Sequence, residues 1–361
     1  MDIVNHRTPL SVTRRKLAQG KLTVGFLGGS ITDARPRHNW PEPVIAWLAD
    51  RYPEALIQVE NAAIGATGSE SAVYRVERDI MARDCDLVFV EYAVNDYGVE
   101  AGRRARTREG LLRKLLAEGK RDVVIVYTYN QPMYDDMTNG RVPQSIADFE
   151  LLAGHYGIGS VWMGKHALRE VQRGLMRWEE WLPDGLHPTS RGSLSYGQSV
   201  IGYLTDELDR DSAGGEWPDR LPAPLHEGAW ERTEWLDLAR LERQGPWVLR
   251  RWPHLEWIDQ CLDTSALGAR LAFSFTGRGV TLGLDFGHTA ADFRYRIDGG
   301  EWTLYESDRP AWCGDSGWFV MRTLNEQLAP GEHRLELEVV HGNRDNSKGT
   351  RFQLAMVGII L

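Results

Sequence analysis

The chain of 361 residues is longer than a usual single domain, and its 42% hydrophobic residues can form a substantial core, so two domains are expected. The formal net charge of −9 and the pI near 5.6 exclude a strongly basic surface of the kind that binds phosphate backbones. We therefore expect no nucleic-acid partner.

The N-terminal residues and the cysteines limit the class of protein further. Residues 1–20 carry four lysines and arginines but no apolar segment follows them, so they lack the pattern of a secretory signal. No apolar run reaches the length of about 20 residues that spans a bilayer. We therefore expect a cytoplasmic protein with no membrane partner. Cys85, Cys261 and Cys313 form neither a disulfide framework nor a metal motif, and we expect no metal and no organic cofactor.

The first predicted strand is the apolar, partly β-branched run that begins at Leu22 and stops at Gly28 and Gly29. The glycines permit a tight turn and a close approach to a ligand, and the turn delivers Ser30. In open α/β sheets, ligands bind at the carboxyl ends of the strands. This stretch alone leaves two alternatives open, because Ser30 is either a nucleophile or an N-capping serine at a strand-to-loop corner.

A helix begun by proline is predicted next, over residues 41–49 and ending before Pro53. The loop of residues 33–39 before it lies beside the candidate nucleophile and is a candidate substrate wall. Trp40, at the start of the helix, is a candidate for stacking on a sugar ring, with ordinary packing as the alternative.

Two further strand ends carry polar or small residues. Gly65 follows the apolar alternation of Ile57 and Val59, and Asn95 follows a predicted buried strand over residues 86–92. Residues 123–129 form a continuous apolar run, which is typical of a central parallel strand covered on both faces. Strands that alternate with helices predict a parallel sheet with helices on both faces.

The last part of this region contains a loop bounded by Pro183 and Pro188, in which Asp184 stands three residues before His187. Trp181 lies just ahead of this loop, as Trp178 does, and is a candidate for shaping the acyl or sugar pocket. A helix over residues 189–208 closes the domain.

The four blocks around Ser30, Gly65, Asn95 and His187 together resemble the SGNH hydrolases, the GDSL-type esterase family. The resemblance implies a three-layer α/β domain with a flavodoxin-like, five-stranded parallel sheet. The family's eponymous motif has an acidic residue before the serine, whereas Gly29 stands there in this chain. The Gly-Gly-Ser-Ile-Thr form resembles the branch of the family that acts on esterified sugars.

These residues also have a consistent chemistry. A serine hydroxyl is a weak nucleophile that needs an adjacent base, for which His187 is the candidate. Asp184 can hold the imidazole in one tautomer and stabilise its charged form. The resemblance implies three donors for an oxyanion, namely the backbone N–H groups of Ser30 and Gly65 and the side-chain amide of Asn95.

The C-terminal third differs in its periodicity. Apolar residues alternate with period two, and Asp298-Gly299-Gly300 is a strong hairpin signal, so an antiparallel β-sandwich is expected. It resembles the jelly-roll modules that accompany some sugar-ester hydrolases. The predicted domains are residues 1–210 and 225–361, joined by a linker over 211–224. The many tryptophans of the C-terminal domain either bind carbohydrate or pack the sandwich, and the sequence leaves both alternatives open.

The sequence therefore predicts a serine carboxylesterase that removes small acyl groups, with acetyl the first choice, from a sugar or oligosaccharide through an acyl-enzyme. A lipid-acyl esterase or thioesterase is the alternative enzyme, and it would require a long apolar channel. A catalytically inactive carbohydrate-binding protein is the alternative of another class. The expected partner is the acylated sugar, and a homo-oligomer is compatible with the sequence.

Overall fold

The computed structural model describes residues 1–33, 39–210, 221–251, 255, 257–306, 309, 311–313 and 317–361. Most of the candidate substrate wall and the first ten residues of the predicted linker lie outside these residues. The chain divides into two compact units, Met1–Glu231 and Arg232–Leu361. Within the described residues, no helix combines the length and the apolar character needed to cross a membrane.

The first unit is built on one six-stranded sheet. Its strands are β1 (Val4–Asn5), β2 (Lys21–Gly28), β3 (Leu56–Asn61), β4 (Leu87–Glu91), β5 (Asp122–Val126) and β6 (Gly159–Val161). The spatial order is β1-β6-β5-β4-β2-β3, and β2 to β6 run parallel. The predicted five-stranded, flavodoxin-like order is therefore confirmed. The sequence analysis missed β1, a two-residue edge strand that pairs antiparallel with β6.

Nine α-helices occur in the described part of this unit. They are α1 (Ser11–Ala18), α2 (Pro41–Arg51), α3 (Ser69–Asp79), α4 (Ala101–Leu116), α5 (Tyr134–Thr138), α6 (Gln144–Tyr156), α7 (Met163–Gln172), α8 (Trp178–Trp181) and α9 (Ser190–Asp209). Helices α2, α7 and α9 pack together, and α3, α4 and α6 form a second group. Two helical layers around a parallel sheet are the three-layer arrangement that the sequence predicts.

The order of the strands determines where a ligand site can form. The chain passes from β2 outward to β3 and then returns to β4 on the other side of β2. The connection that follows β2 thus leads to one side of the sheet and the connection that follows β4, to β5, leads to the other side, which opens a crevice at the carboxyl ends of β2 and β4. Ser30 follows β2 and Asn95 follows β4, so both residues lie at this switch point.

The boundary between the units differs from the predicted start of the second domain at residue 225. The backbone N–H groups of Leu225 and His226 donate to the Glu109 carboxylate at 2.6 and 2.8 Å. Trp230 is fully buried, and a Cβ at Gly110 would lie 2.4 Å from its backbone. Residues 225–231 therefore belong to the first unit. Tight packing on a glycine of a distant helix leaves no signal in the local sequence.

The second unit consists of two antiparallel sheets. Its strands are β7 (Thr233–Trp235), β8 (Glu242–Gln244), β9 (Val248–Arg250), β10 (Cys261–Thr264), β11 (Arg270–Gly277), β12 (Gly279–Phe286), β13 (Asp292–Ile297), β14 (Thr303–Tyr305), β15 (Trp318–Asn325), β16 (Gly331–Val340) and β17 (Phe352–Ile360). One sheet has the order β15-β12-β17-β10-β9, with β7 also paired to β17, and the other has the order β14-β13-β16-β11-β8.

One apolar core joins the two sheets of this unit. Leu282 and Val357 contribute to it from the first sheet, and Phe273 and Leu337 contribute from the second. The alternation of buried and exposed side chains along β11 is the period-two pattern on which the prediction rested. The predicted hairpin is also present, because Asp298 and Gly299 have φ values of 52° and 68° between β13 and β14. The antiparallel β-sandwich is therefore confirmed.

Candidate active site

The turn that carries Ser30 follows β2 directly and is fixed by several hydrogen bonds. The Thr32 N–H donates to the carbonyl oxygen of Gly29 at 3.0 Å, which closes the turn. The side-chain amide of Asn39 donates to the Ser30 carbonyl oxygen at 2.9 Å, and that of Asn61 donates to the Thr32 carbonyl oxygen at 3.1 Å. Ser30 is thus held on a turn whose backbone is tied to neighbouring segments on both sides.

The two glycines before Ser30 are required by close packing, since neither has a positive φ. A Cβ on Gly28 would lie 2.6 Å from the Thr32 hydroxyl oxygen. A Cβ on Gly29 would lie 2.1 Å from the side-chain oxygen of Asn95. The Gly-Gly pair therefore makes room for two polar side chains that lie against the turn.

Three side chains form a continuous hydrogen-bonded row. Ser30 Oγ lies 2.8 Å from His187 Nε2, and His187 Nδ1 lies 2.8 Å from Asp184 Oδ2. The other carboxylate oxygen of Asp184 accepts the backbone N–H groups of Leu186 and His187 at 2.9 and 2.7 Å. Gly185, with φ of 75°, allows the tight loop that brings the acid back to the imidazole.

The electrostatics of the row favour a charged acid. Partial burial acts to raise the pKa of Asp184, but hydrogen bonds from the backbone and ring of His187 and from the Leu186 N–H outweigh it and hold the pKa below its ordinary value. A charged Asp184 accepts a hydrogen bond from the Nδ1–H group of His187. The unprotonated Nε2 can then accept a hydrogen bond from the Ser30 hydroxyl. The arrangement can therefore activate the hydroxyl and stabilise the imidazolium that results.

The expected oxyanion donors surround Ser30. A Cβ on Gly65 would lie 3.6 Å from the Ser30 Cβ, and the Asn95 side chain lies against Gly29. Within the described part of the chain, no acceptor is hydrogen-bonded to the Ser30 N–H, the Gly65 N–H or the Asn95 side-chain amide. Ser30, Gly65 and Asn95 are only partly buried, so their donors are accessible to a ligand, and three donors beside one hydroxyl are suited to a charge that develops during a reaction.

A buried ion pair, which the sequence analysis missed, fastens the loops that carry Gly65 and Asn95. Asp96 accepts the Ser69 N–H with Oδ1 at 2.9 Å and the Arg108 Nε–H with Oδ2 at 2.8 Å. Both charged side chains are buried, with exposures of 2% and 0%. Asp96 thereby links the N-terminus of α3 to the segment that follows β4. In the sequence, the signal for this role was an acidic residue directly after Asn95.

The structure contradicts the expectation that Trp40 and Trp181 bind the substrate. Trp40 is fully buried, with its ring edge-on to Phe26 at 5.4 Å and its indole N–H donated to the Thr32 hydroxyl. Trp181 is also fully buried, 4.8 Å from the ring of Tyr129. Neither ring has a face open to a sugar, so both substrate-binding predictions are wrong, and the packing alternative for Trp40 holds.

Other aromatic rings are accessible near the loop that carries His187. Tyr134 is 39% exposed, and its ring lies edge-on to that of the half-buried Trp178 at 5.9 Å. Both rings lie on segments joined to the His187 loop. The Gln131 N–H, just before Tyr134, donates to the Gly185 carbonyl oxygen of the loop, and the Leu182 N–H, just before the loop, donates to the Trp178 carbonyl oxygen. An accessible aromatic surface therefore lies on segments that adjoin the row.

The described residues contain no group of three or more His, Cys, Asp or Glu side chains arranged to hold a metal ion. A nucleophile, a base, an acid and three donors are brought together by side chains and backbone of the first unit. Chemically, this arrangement suits acyl transfer through a serine.

Comparison with known proteins gives a match to one family model and a similar fold. Residues 26–193 match the model of the GDSL-like lipase/acylhydrolase family. This range includes Ser30, Asp184 and His187. No curated protein sequence matches the chain. A two-domain esterase active on acetylated mannans has a similar structure, with a TM-score of 0.84 and 23% identity, over 99% of this chain and 96% of that chain.

Two further solved structures are also similar. The two-domain esterase active on acetylated mannans, co-crystallised with mannopentaose, gives a TM-score of 0.82 at 23% identity over 99% of this chain and 96% of that chain. An acetylxylan esterase from Geobacillus stearothermophilus gives a TM-score of 0.41 at 21% identity over 53% of this chain and 97% of that chain.

Proposed function

We propose, from the match of residues 26–193 to the model of the GDSL-like lipase/acylhydrolase family, that this protein is a serine carboxylesterase that removes acetyl or similarly small acyl groups from a sugar or oligosaccharide. The observation that carries the proposal is the hydrogen-bonded row from Ser30 Oγ through His187 to Asp184. A binding protein without activity would have no need of this row or of three unpaired donors beside it.

The first half of the reaction forms an acyl-enzyme. Ser30 Oγ attacks the ester carbonyl carbon while His187 Nε2 takes the hydroxyl proton, and Asp184 stabilises the imidazolium. The carbonyl oxygen becomes an oxyanion that accepts from the Ser30 and Gly65 N–H groups and the Asn95 amide, and a donor of this kind is typically worth about 3 kcal/mol of barrier. The C–O bond to the sugar then breaks, and His187 protonates the departing alkoxide.

The second half repeats these steps with water. His187 Nε2 takes a proton from a water molecule, whose oxygen attacks the acyl carbon attached to Ser30 Oγ. The same three donors stabilise the second oxyanion. The bond to Ser30 Oγ breaks, the proton returns to the serine, and the acid product leaves.

The sugar part of the proposal is supported by two observations. The fold over nearly the whole chain is similar to that of an esterase active on acetylated mannans, and Tyr134 and Trp178 present aromatic surface on segments joined to the catalytic loop. Aromatic rings are well suited to packing on the apolar faces of sugar rings.

The test is acetate release from acetylated manno- and xylo-oligosaccharides by wild type, Ser30→Ala and Ser265→Ala. Ser265 is an exposed serine of the second unit and serves as the matched control. We expect Ser30→Ala to reduce kcat by about 10⁴-fold or more and Ser265→Ala to leave it unchanged. Equal activity of wild type and Ser30→Ala would remove Ser30 as the nucleophile, and no release from any acetylated sugar would remove the proposed substrate class.

A further inference from the structure

A fully buried carboxyl group lies directly beneath the turn that carries Ser30. Glu91 is the last residue of β4, has no exposed surface and is paired in register with Gly28 of β2. Its Oε2 accepts the Thr32 hydroxyl at 3.1 Å, and its Oε1 accepts the Thr128 hydroxyl at 2.7 Å. The backbone N–H of Gly29 is a third donor to this carboxylate.

The direction of the Thr32 hydrogen bond is determined by a neighbour. The indole N–H of Trp40 can only donate, and it donates to Thr32 Oγ1 at 2.9 Å. The hydroxyl of Thr32 therefore directs its own hydrogen to Glu91. Gly29 precedes Ser30 by one residue and Thr32 follows it by two, so the carboxylate holds the backbone on both sides of the nucleophile.

The burial of this carboxylate opposes folding at neutral pH. Desolvation raises the pKa of Glu91 to about 7, although its three hydrogen-bond donors act to lower it. The other titratable groups that face it are Asp96, which raises the pKa further, and the buried phenols of Tyr92 and Tyr196. A glutamine would fill the same volume without burying a charge, so the carboxylate needs an explanation other than packing.

We propose that the Glu91 carboxylate is a positioning residue for the nucleophile, and that by accepting from Gly29 N–H and Thr32 Oγ1 it aims the Ser30 hydroxyl at His187 and the Ser30 N–H at the oxyanion. This inference rests on the proposed esterase function. Glu91 acts through the turn and touches no reacting atom.

Protonation of Glu91 would weaken this role. A neutral carboxyl group carries a hydrogen on one oxygen, so it accepts fewer of the three donors, and among the described residues the Thr32 hydroxyl donates to Glu91 alone. Full activity would then require a deprotonated Glu91. The acid limb of log kcat/KM, which reports the free enzyme, should therefore include the titration of Glu91 in the wild type.

The first test is Glu91→Gln, assayed with a small aryl acetate from pH 5 to 9. We expect kcat to fall about 10- to 100-fold with little change in KM, and the acid limb of log kcat/KM to lie at lower pH than in the wild type because the titration of Glu91 is absent. Glu109→Gln is the matched control, because Glu109 is a buried carboxylate that holds Leu225 and His226 and lies outside the site. The control should lower the melting temperature and leave the acid limb at the pH of the wild type.

Stability separates positioning from a structural role. The pKa of folded Glu91 is raised from its ordinary 4.5 to about 7, so its contribution favours the folded state below pH 4.5 and is lost as the pH rises through 7. Glu91→Gln lacks this dependence, and at pH 8 we expect it to be at least as stable as the wild type. Loss of activity that merely follows loss of folded protein would overturn the proposal.

A second variant covers the case in which Glu91→Gln does not fold. Thr128→Val removes one donor that lowers the pKa of Glu91, so the acid limb should move to higher pH while the alkaline limb stays. An unshifted limb would overturn the inference. Failure of the proposed function is distinguishable from failure of this inference, because without esterase activity the wild type itself would release no acid from any small ester.

Discussion

At the scale of single residues, the packing of Asn95 against Gly29 shows why the turn before Ser30 has no side chains. The space that a Cβ of residue 29 would occupy contains the Asn95 amide, which is the proposed third oxyanion donor. The same relation explains Gly28, whose missing side chain leaves room for the Thr32 hydroxyl that reaches Glu91. Gly28 and Gly29, which the sequence analysis treated as turn formers, thus also leave room for polar side chains because they have no Cβ.

Gly29→Ala tests this relation. The added methyl group must displace the Asn95 amide, so we expect kcat toward an aryl acetate to fall about 10²- to 10³-fold, as on loss of one oxyanion donor. Gly98→Ala is the control, since a Cβ there meets nothing within 4 Å. An unchanged kcat in Gly29→Ala, with the fold verified by circular dichroism, would mean that Asn95 is not a donor.

The site residues that the sequence predicted each lie in a short block with its own local signal. Ser30 follows two glycines, and Asp184 stands three residues before His187, so the loop geometry is contained in the block. Trp40 had no such signal, because its burial depends on Phe26 and Phe89 from two strands that meet only in the folded sheet. Glu91 was overlooked for the same reason, although a charged residue in a buried strand is itself unusual.

At the scale of elements, the short helix α8 connects the aromatic surface to the loop that carries Asp184 and His187. Trp178 begins this helix, and the Leu182 carbonyl oxygen at its end accepts the Gly185 N–H of the loop at 3.0 Å. Trp181, on the same helix, is buried against Tyr129 and anchors it. The helix therefore has an inner ring for packing and an outer ring available to a ligand.

Trp178→Ala tests the role of the outer ring. We expect KM for an acetylated manno-oligosaccharide to rise about 3- to 10-fold, which corresponds to the loss of one aromatic contact, while KM for an aryl acetate stays within twofold. Comparing two substrates in one variant removes any effect of lower stability. An equal change in both KM values would mean that this ring does not bind the sugar.

At the scale of the whole molecule, the sequence predicted two domains of the correct classes but placed their boundary too early. Periodicity distinguishes a parallel α/β sheet from an antiparallel sandwich, because the first has continuous apolar strands and the second has alternating ones. The boundary itself depends on Trp230 and on Glu109, which accepts from Leu225 and His226. These contacts are long-range, and local composition does not report them.

The central claim, that Ser30 is the nucleophile of a serine esterase, is tested most directly by labelling with an organophosphonate probe followed by peptide mapping. Such a probe reacts with a serine only where a base and oxyanion donors activate it. We predict that the label is found on the peptide containing Ser30 and that Ser30→Ala and His187→Ala both abolish it. Stoichiometric labelling of another residue, or labelling that persists in Ser30→Ala, would contradict the claim.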